Sequence, residues 1–202
     1  MRRGFRWGAA VGWALVLWGT GTGGGQAADD FRVEEGFVSL FNGKDLTGWV
    51  YPKKDGSSLD GKMETPDQRF QVADGVIVIR AKDKDGKGGI RDLYTSRSFD
   101  KDFDLKLEFR AAPRADSGVY IRGTQLQVRD YPTVGPYKDL TKFKPGDWNE
   151  LEISVRGTEA TCRCNGELLG KGPMKVPAKG GIGLQAESGQ FEFRRIRIRE
   201  LP

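Results

Sequence analysis

Two neighbouring segments of the chain carry side chains suited to the recognition of hydroxyl-rich ligands. They are SGVYIRG at residues 117–123 and QLQVRD at residues 125–130. In each segment apolar and polar residues alternate, which predicts a strand with one buried face and one open face. The open face gathers planar hydrogen-bonding groups and an aromatic ring, from Tyr120, Arg122, Gln125 and Gln127. This combination favours a sugar ligand over plain solvent.

The absence of histidine limits the chemistry that the chain can perform. Without an imidazole there is no Ser/His or Cys/His nucleophile pair and no histidine-bearing zinc site. Any catalysis must therefore use carboxylates, Lys, Tyr, Arg or a metal held by oxygen ligands. The length of 202 residues and the hydrophobic content of 37% are sufficient for one domain with a substantial core.

Residues 1–28 have the pattern of a signal peptide. Three arginines precede an apolar stretch at residues 7–18, and the segment 25–28 offers small residues for cleavage. The apolar stretch is short and interrupted by glycine, which favours a cleaved signal over a retained transmembrane helix. We therefore expect a mature domain at residues 29–202 that is exported to the periplasm or the extracellular space, by the general or the twin-arginine route, with no stable membrane span.

The charge balance argues against a nucleic-acid partner. The formal net charge is +5, and it falls to +2 when the predicted leader, with three arginines and no acids, is removed. A net charge of this size is too small to supply the phosphate contacts on which binding to nucleic acids depends.

The two cysteines, Cys162 and Cys164, are separated by one residue on a predicted strand. Their Cα atoms would lie about 6.5 to 7 Å apart in an extended chain. That separation is at the edge of the range that a disulfide can span. We therefore predict two unbridged thiols that face the core.

Short alternating strands occupy most of the remaining chain. FDLKLEFR at residues 103–110 alternates strictly, and similar strands are predicted at residues 70–80, 149–157, 159–170 and 180–187. The pair Asn165-Gly166 within residues 159–170 predicts a tight hairpin turn. No segment sustains a long helical period, so the sequence predicts a single all-β domain, an antiparallel β-sandwich or jelly roll.

The same alternation predicts which side chains form the core. The expected core residues are Phe103, Leu105, Leu107, Phe109, Val119, Ile121, Leu126, Val128, Ile153, Val155, Ile182 and Leu184. In the last strand the apolar residues change parity after Phe193. A bulge near Arg194 and Arg195 would return both apolar pairs of that strand to the core.

An ordered set of motifs resembles the 3-keto-disaccharide hydrolase family. The motifs are FNGKDLTGW at residues 41–49, PGDWNELEISVRG at 145–157, GGIGLQAESG at 180–189 and FEFRRIRIREL at 191–201, together with the central strands described above. The resemblance extends from about residue 36 to residue 201. It implies a concanavalin-like jelly roll.

The resemblance also implies a reaction, the cleavage of glycosides whose sugar carries a ketone at C3. That ketone acidifies the hydrogen on C2, so a base can remove it and eliminate the glycosidic substituent, after which water adds back. Such a route needs a base, a group that stabilises the enolate and an acid for the leaving group.

The open faces of the strands supply candidate residues for this reaction. We predict catalytic roles for Glu108, Arg122 and Glu187, in which a glutamate moves the proton and the arginine stabilises an oxyanion. The candidate substrate-binding residues are Arg110, Tyr120, Gln125, Gln127, Asp130, Tyr131, Tyr137, Lys138 and Gln185. We expect the residues on neighbouring strands to line one cleft. A metal, if bound, would be an oxygen-liganded calcium, magnesium or manganese ion.

Three functions of different classes remain open at this point. The first is an enzyme that hydrolyses or eliminates 3-keto-glycosides, which the carboxylates Glu108 and Glu187 favour. The second is a carbohydrate-binding module on the same face, which Gln125 favours, with Tyr120, Tyr131 and Tyr137 stacking on sugar rings. The third is an interaction domain without a sugar ligand, which would need an exposed apolar patch that the sequence does not suggest.

Overall fold

The computed structural model of the chain describes residues 31–51 and 58–202. Within these residues the strands form two antiparallel sheets. The larger sheet contains β1 Val38–Ser39, β3 Phe70–Ala73, β4 Val76–Ile79, β6 Phe103–Ala111, β9 Asn149–Arg156, β10 Glu159–Cys164, β11 Glu167–Leu168, β12 Met174–Lys175 and β14 Phe191–Glu200. The smaller sheet contains β2 Trp49–Val50, β5 Arg91–Thr95, β7 Asp116–Ile121, β8 Thr124–Arg129 and β13 Ile182–Ser188. One short helix, α1 Tyr131–Val134, follows β8.

The order of the strands combines hairpins, such as β3-β4, β7-β8 and β9-β10, with crossovers between distant strands, and so builds a jelly roll. The larger sheet runs β11-β10-β9-β6-β14-β4-β3, with β1 beside β14 and β12 beside β10, and the smaller sheet runs β2-β5-β13-β7-β8. Strands β6 and β7, which are consecutive in the chain, lie in different sheets. The predicted all-β sandwich is confirmed.

The core lies between the sheets and consists of the apolar positions of each alternating strand. Every one of the twelve predicted core residues is buried, and β6 alternates without exception between buried and partly exposed positions along its nine residues. A half-buried strand has one apolar and one polar face, so a period of two along the sequence is enough to locate the core.

Two local irregularities confirm predictions from the sequence. The pairing of β14 with β6 shifts register between Arg194 and Arg197, and the backbone of Arg195 has a positive φ of 51°. This bulge returns the later isoleucines to the core. In the turn from β10 to β11, Asn165 and Gly166 both have positive φ, of 49° and 82°, as a two-residue hairpin turn of this kind requires.

The two cysteines are free and buried on β10, as predicted. The predicted signal peptide lies outside the described residues and stays a prediction. Among the residues that the structure describes, no helix has the length and apolar character needed to cross a membrane.

Candidate functional site

The outer face of the five-stranded sheet carries three rows of side chains that run across its strands. The first row is Tyr94, Gly183, Tyr120 and Gln125. The second row is Asp92, Gln185, Gly118 and Gln127. Beyond a bulge in β13, the third group is Glu187, Asp116 and Arg129. Each of these residues alternates with a core residue on its own strand, and this alternation places the whole set on the outer face.

Two glycines allow the larger side chains of this face to lie flat on the sheet. A Cβ at Gly183 would stand 2.5 Å from Tyr94 Cε1, and one at Gly118 would stand 2.5 Å from Gln125 Nε2. Both distances are far below ordinary contact, so neither position accepts a side chain without displacement of its neighbour. The space over Gly183 lets Tyr94 and Tyr120 approach each other, with ring centroids 5.3 Å apart and planes tilted by 40°.

A chain of hydrogen bonds connects the rows and ends at a carboxylate. Gln125 Nε2 donates to Gln185 Oε1 over 2.7 Å, and Gln185 Nε2 donates to the Tyr120 hydroxyl over 2.9 Å. The Tyr120 hydroxyl in turn hydrogen-bonds the Asp92 carboxylate. Gln185 is almost fully buried in the centre of this chain, so the relay is a rigid part of the sheet surface.

Asp92 is the acid of the second row, and its pKa is raised. Burial raises the pKa of this carboxyl, while the hydrogen bonds from Tyr120 and Gln185 lower it by less. Its Oδ1 atom is buried and has no hydrogen-bond partner among the described residues, and the same is true of Gln127 Oε1. Buried acceptors are normally satisfied. Two buried acceptors without partners therefore leave hydrogen-bonding capacity unused directly beneath this face, on side chains that are themselves partly exposed.

A second acid with a raised pKa lies at the end of the same face. Burial, and then the nearby charge of Asp116, raise the pKa of Glu187, while Arg129 lowers it. Asp116 is itself paired, because Arg129 Nε lies 2.5 Å from its Oδ1. An acid such as Glu187, whose pKa is displaced by burial and by a neighbouring charge, is typical of acid–base sites.

The structure brings five of the predicted site residues together on this face. They are Tyr120, Gln125, Gln127, Gln185 and Glu187. All five come from β7, β8 and β13, whose pairing the alternation alone did not specify. The remaining predicted residues lie elsewhere.

Glu108 and Arg110 do not belong to this cleft, contrary to the prediction, because β6 lies in the other sheet. Glu108 forms ion pairs with Arg194 and Arg195 across that sheet's outer face. Arg110 pairs with Glu192, and its guanidinium lies 4.8 Å from the Trp148 ring centroid. Both side chains are thus engaged in the surface network of the larger sheet.

Arg122 also lies outside the cleft, since the turn that follows β7 directs its side chain away from it. Its backbone has a positive φ of 51°. The guanidinium is buried and donates to the carbonyls of Gly157, at 2.9 Å, and of Lys101 and Pro177. It therefore ties loops together instead of facing solvent on the sheet with Tyr120.

Three of the four residues predicted on the loop after β8 make structural contacts. Asp130 is buried and accepts a hydrogen bond from the Arg114 backbone N–H at 2.9 Å. Tyr131 is a core residue whose hydroxyl donates to the Gln127 carbonyl, and burial raises its pKa. Tyr137 packs edge-on against Tyr131, and Lys138 is exposed. The sugar-stacking role predicted for Tyr131 is wrong because its ring is fully buried.

Sequence reasoning missed Asp92 and Tyr94, the acid and the second aromatic ring of the face. They lie on β5, whose five residues follow a loop rich in Lys, Asp and Gly. The available signal was the alternation of Asp92 and Tyr94 with Leu93 and Thr95, which has the period of a strand but is short.

No set of three or more acidic or cysteine side chains lies close enough together in the described parts of the chain to hold a metal ion. The three acids of the outer face do not form such a set. The described residues therefore offer no ligand set for the predicted calcium, magnesium or manganese ion, and we derive no step through a metal.

The comparisons with known proteins agree with this picture of the fold. A family model described as a 3-keto-alpha-glucoside-1,2-lyase-like domain matches residues 36–199. No curated protein matches the sequence.

Two solved structures of similar fold come from Parabacteroides distasonis. A candidate glycosyl hydrolase from Parabacteroides distasonis aligns with a TM-score of 0.62 and 20% identity, over 83% of this chain and 95% of that one. A second candidate glycosyl hydrolase from the same organism aligns with a TM-score of 0.54 and 22% identity, over 68% and 93% of the two chains. At these identities the likeness establishes the fold alone. The match of the family model over most of the sequence is the stronger finding, and it shows that the chain belongs to the 3-keto-alpha-glucoside-1,2-lyase-like domain family.

Proposed function

We propose that this protein is an exported carbohydrate-active enzyme that cleaves 3-keto-glycosides on the outer face of the five-stranded sheet. One observation carries the proposal: Asp92 and Glu187, two acids with raised pKa values, share that face with an aromatic pair and a glutamine relay. The family to which the chain belongs supports the choice of substrate class.

Asp92 is suited to the role of the base. Its side chain is partly exposed on the outer face, and hydrogen bonds with Tyr120 and Gln185 hold the carboxylate. In the proposed step Asp92 takes the proton from C2 of the sugar, and the electrons of the C2–H bond form the C1–C2 double bond. The C1–O bond breaks, and its electron pair leaves with the glycosidic oxygen. The C3 ketone makes this route accessible because it stabilises the developing negative charge as an enolate.

Glu187 is suited to protonate the leaving oxygen. Its raised pKa keeps the carboxyl protonated to higher pH than an ordinary glutamate. It lies two residues along β13 from Gln185, which is directly opposite Asp92. Same-face positions related in this diagonal way are about 7–8 Å apart in a sheet. That spacing suits a base and an acid that act on the adjacent carbons C2 and C1 of one ring and its substituent.

The rest of the face would hold the sugar. The tilted pair Tyr94 and Tyr120 offers an aromatic surface for the apolar side of a pyranose ring. The amide of Gln127, a partly exposed side chain of this face, would hydrogen-bond a hydroxyl group. Water that adds to the unsaturated product would complete a net hydrolysis.

A binding module that uses the same face is the second candidate. The side chains of Gln125, Gln185 and Tyr120 are uncharged and hydrogen-bond one another, as in a rigid platform that recognises hydroxyl groups without chemistry. This alternative predicts sugar binding without turnover.

The two roles can be separated with 3-keto-glucosides that differ only in the leaving group, one a sugar and one an acidic phenol. Asp92→Asn should slow the loss of the C2 hydrogen, followed by NMR in D₂O, and the release of both leaving groups by about 10²- to 10⁴-fold. Glu187→Gln should slow release of the sugar strongly and release of the phenol only slightly, since a phenolate leaves without a proton. Glu108→Gln, on the other sheet, is the matched control and should be fully active.

The outcomes decide between the candidates. Parent-level activity in Asp92→Asn would remove the proposed base. An inactive parent protein that still binds the unoxidised glucoside would favour the binding module.

A further inference from the structure

A second buried arginine, Arg69, lies next to the strands that carry the two proposed acids. Its guanidinium is fully buried and donates to three backbone carbonyls. These belong to Arg80 at 2.6 Å, Gly89 at 2.8 Å and Ala186 at 3.2 Å. Three acceptors around one planar group fix its position and, with it, the relative position of three chain segments.

Two of these carbonyls lie beside the candidate site. Ala186 stands on β13 between Gln185 and Glu187, at the point where the pairing with β7 becomes irregular. Gly89 precedes β5, which begins at Arg91 and carries Asp92 at its next position. The ladder between β5 and β13 ends at the pair formed by Arg91 and Ala186. Arg69 therefore continues the connection between the two strands where their own hydrogen bonds stop.

A network around Asp67 holds this arginine in place. Asp67 Oδ1 accepts hydrogen bonds from Thr65 Oγ1, at 2.8 Å, and from the Arg69 backbone N–H, at 3.1 Å. The hydroxyl of Tyr51 donates to the other carboxylate oxygen, and Arg91 Nε lies 3.7 Å from it. The negative charge of Asp67 offsets the cost of burying the guanidinium.

We propose that Arg69 is a positioning residue, which sets the distance and orientation between the acid on β5 and the acid on β13 without touching the sugar. The proposal rests on the proposed function for the roles of Asp92 and Glu187. Arg69 acts through the backbone: it holds the entry of β5 against β13, so that Asp92 stays packed beside Tyr120 and Gln185. Release of that entry would let water reach the carboxylate.

The groups around Asp92 determine how the loss of Arg69 would change the pKa of this carboxyl. Tyr120 on β7 and Gln185 on β13 hydrogen-bond the carboxylate, and Tyr94 lies on the same strand. The raised pKa of Asp92 depends mainly on burial, so it should fall toward the ordinary aspartate value of about 4 when β5 loosens. The lost positive charge of Arg69 would act in the opposite direction and is not among the main influences on this carboxyl.

Arg122 provides a matched control because it too is a buried arginine that donates to three backbone carbonyls, at the other end of β13. Arg69→Met and Arg122→Met should both lower the melting temperature of the full chain. The pKa of Asp92, measured by carbon-detected NMR titration, should fall in Arg69→Met and stay unchanged in Arg122→Met. With a 3-keto-glucoside, kcat should fall by about 10²-fold in Arg69→Met alone, as expected for a displaced catalytic group, with little change in KM.

Arg69→Lys keeps the charge and serves if the methionine variant does not fold. One ammonium group cannot match the fork of a guanidinium, so this variant should show the same pKa change at smaller amplitude and recover part of kcat. A loss of stability in both Arg69 variants, with the pKa of Asp92 and the rate of C2 exchange unchanged, would overturn the proposal. Because the NMR titration needs no substrate, it tests the positioning role even if the parent protein proves inactive, which would contradict only the proposed function.

Discussion

A buried arginine on the larger sheet shows how single charges set the acid stability of this protein. Arg197 is almost fully buried and forms a two-pronged pair with Glu34, through Nε at 2.5 Å and Nη2 at 2.7 Å, and a further bond with Glu150 at 2.9 Å. The hydrogen bonds with Arg197 lower the pKa of Glu34 to about 2. A glutamate in an unfolded chain titrates at about 4.3.

The difference between the folded and the unfolded pKa of Glu34 determines how stability changes with pH. Because the pKa is lower in the folded state, the pair contributes its full stability above pH 4.3 or so, and the contribution is lost as the pH falls toward about 2. We predict that the urea midpoint of the parent falls more between pH 5 and pH 2.5 than that of Glu34→Gln. The same pH dependence in both proteins would show that this pair does not contribute.

The reactivity of the two cysteine thiols tests, again at the level of single residues, whether β10 is buried. Burial raises the pKa of Cys162 and of Cys164 to about 12, so very little thiolate exists at neutral pH. We predict no reaction of the native protein with a thiol reagent at pH 7.5 and the titration of two thiols after denaturation without reductant. Titration of none in the denatured protein would reveal a disulfide.

At the scale of elements, the outer face of the smaller sheet depends on glycines as much as on the side chains that it displays. Gly183→Ala would bring a Cβ to 2.5 Å from Tyr94 Cε1 and 3.1 Å from Tyr120 Cβ. The aromatic pair must then separate, at a cost of about 1–3 kcal/mol. We predict a loss of sugar affinity of about tenfold or more, measured by calorimetry with an unreactive glucoside.

Gly172→Ala is the matched control for this change. Gly172 lies in a loop, and a Cβ there would meet no atom within 4 Å. It should bind the glucoside as the parent does. Equal affinity in both variants would mean that the tyrosine pair does not contact the sugar.

Strand alternation was sufficient to predict the core residues from the sequence, but it was not sufficient to predict which strands share a sheet. In β6 the period of two identified Phe103, Leu105, Leu107 and Phe109 as core residues, because burial is a local property of a half-exposed strand. The same period placed both Glu108 and Glu187 on open faces, and correctly so. It could not reveal that the two faces belong to different sheets, since pairing between distant strands depends on register and connection and not on alternation.

Backbone conformation accounts for the misplacement of Arg122. Strand parity put it with Tyr120, but β7 ends at Ile121, and the positive φ of Arg122 turns its side chain toward buried carbonyls. A non-glycine residue in this conformation is uncommon and leaves no clear trace in a single sequence. Asp92 was missed for a different reason. Strand β5 has only five residues and follows a polar loop, so its alternation was not recognised as that of a strand.

At the scale of the whole molecule, the two outer faces of the sandwich differ in how their charges are used. On the larger sheet the acids Glu108, Glu192 and Asp104 are each paired with arginine. A depression of about 360 Å³ on this sheet, lined by Phe37, Lys106 and others, lies among such pairs. On the smaller sheet Asp92 Oδ1 and Gln127 Oε1 have no hydrogen-bond partner among the described residues. This contrast is the reason that we assign the sugar to the smaller sheet.

Chemical-shift mapping tests that assignment most directly, whether the protein is an enzyme or a binding module. An unreactive glucoside disaccharide, titrated into protein with labelled aromatic side chains, should shift the ring signals of Tyr94 and Tyr120. The Trp148 ring, which lies under Arg110 and Arg194 on the other sheet, should stay unchanged and serves as the internal control. Saturable shifts of Trp148 or Phe37 with the two tyrosines unmoved would contradict the account and transfer the sugar site to the larger sheet.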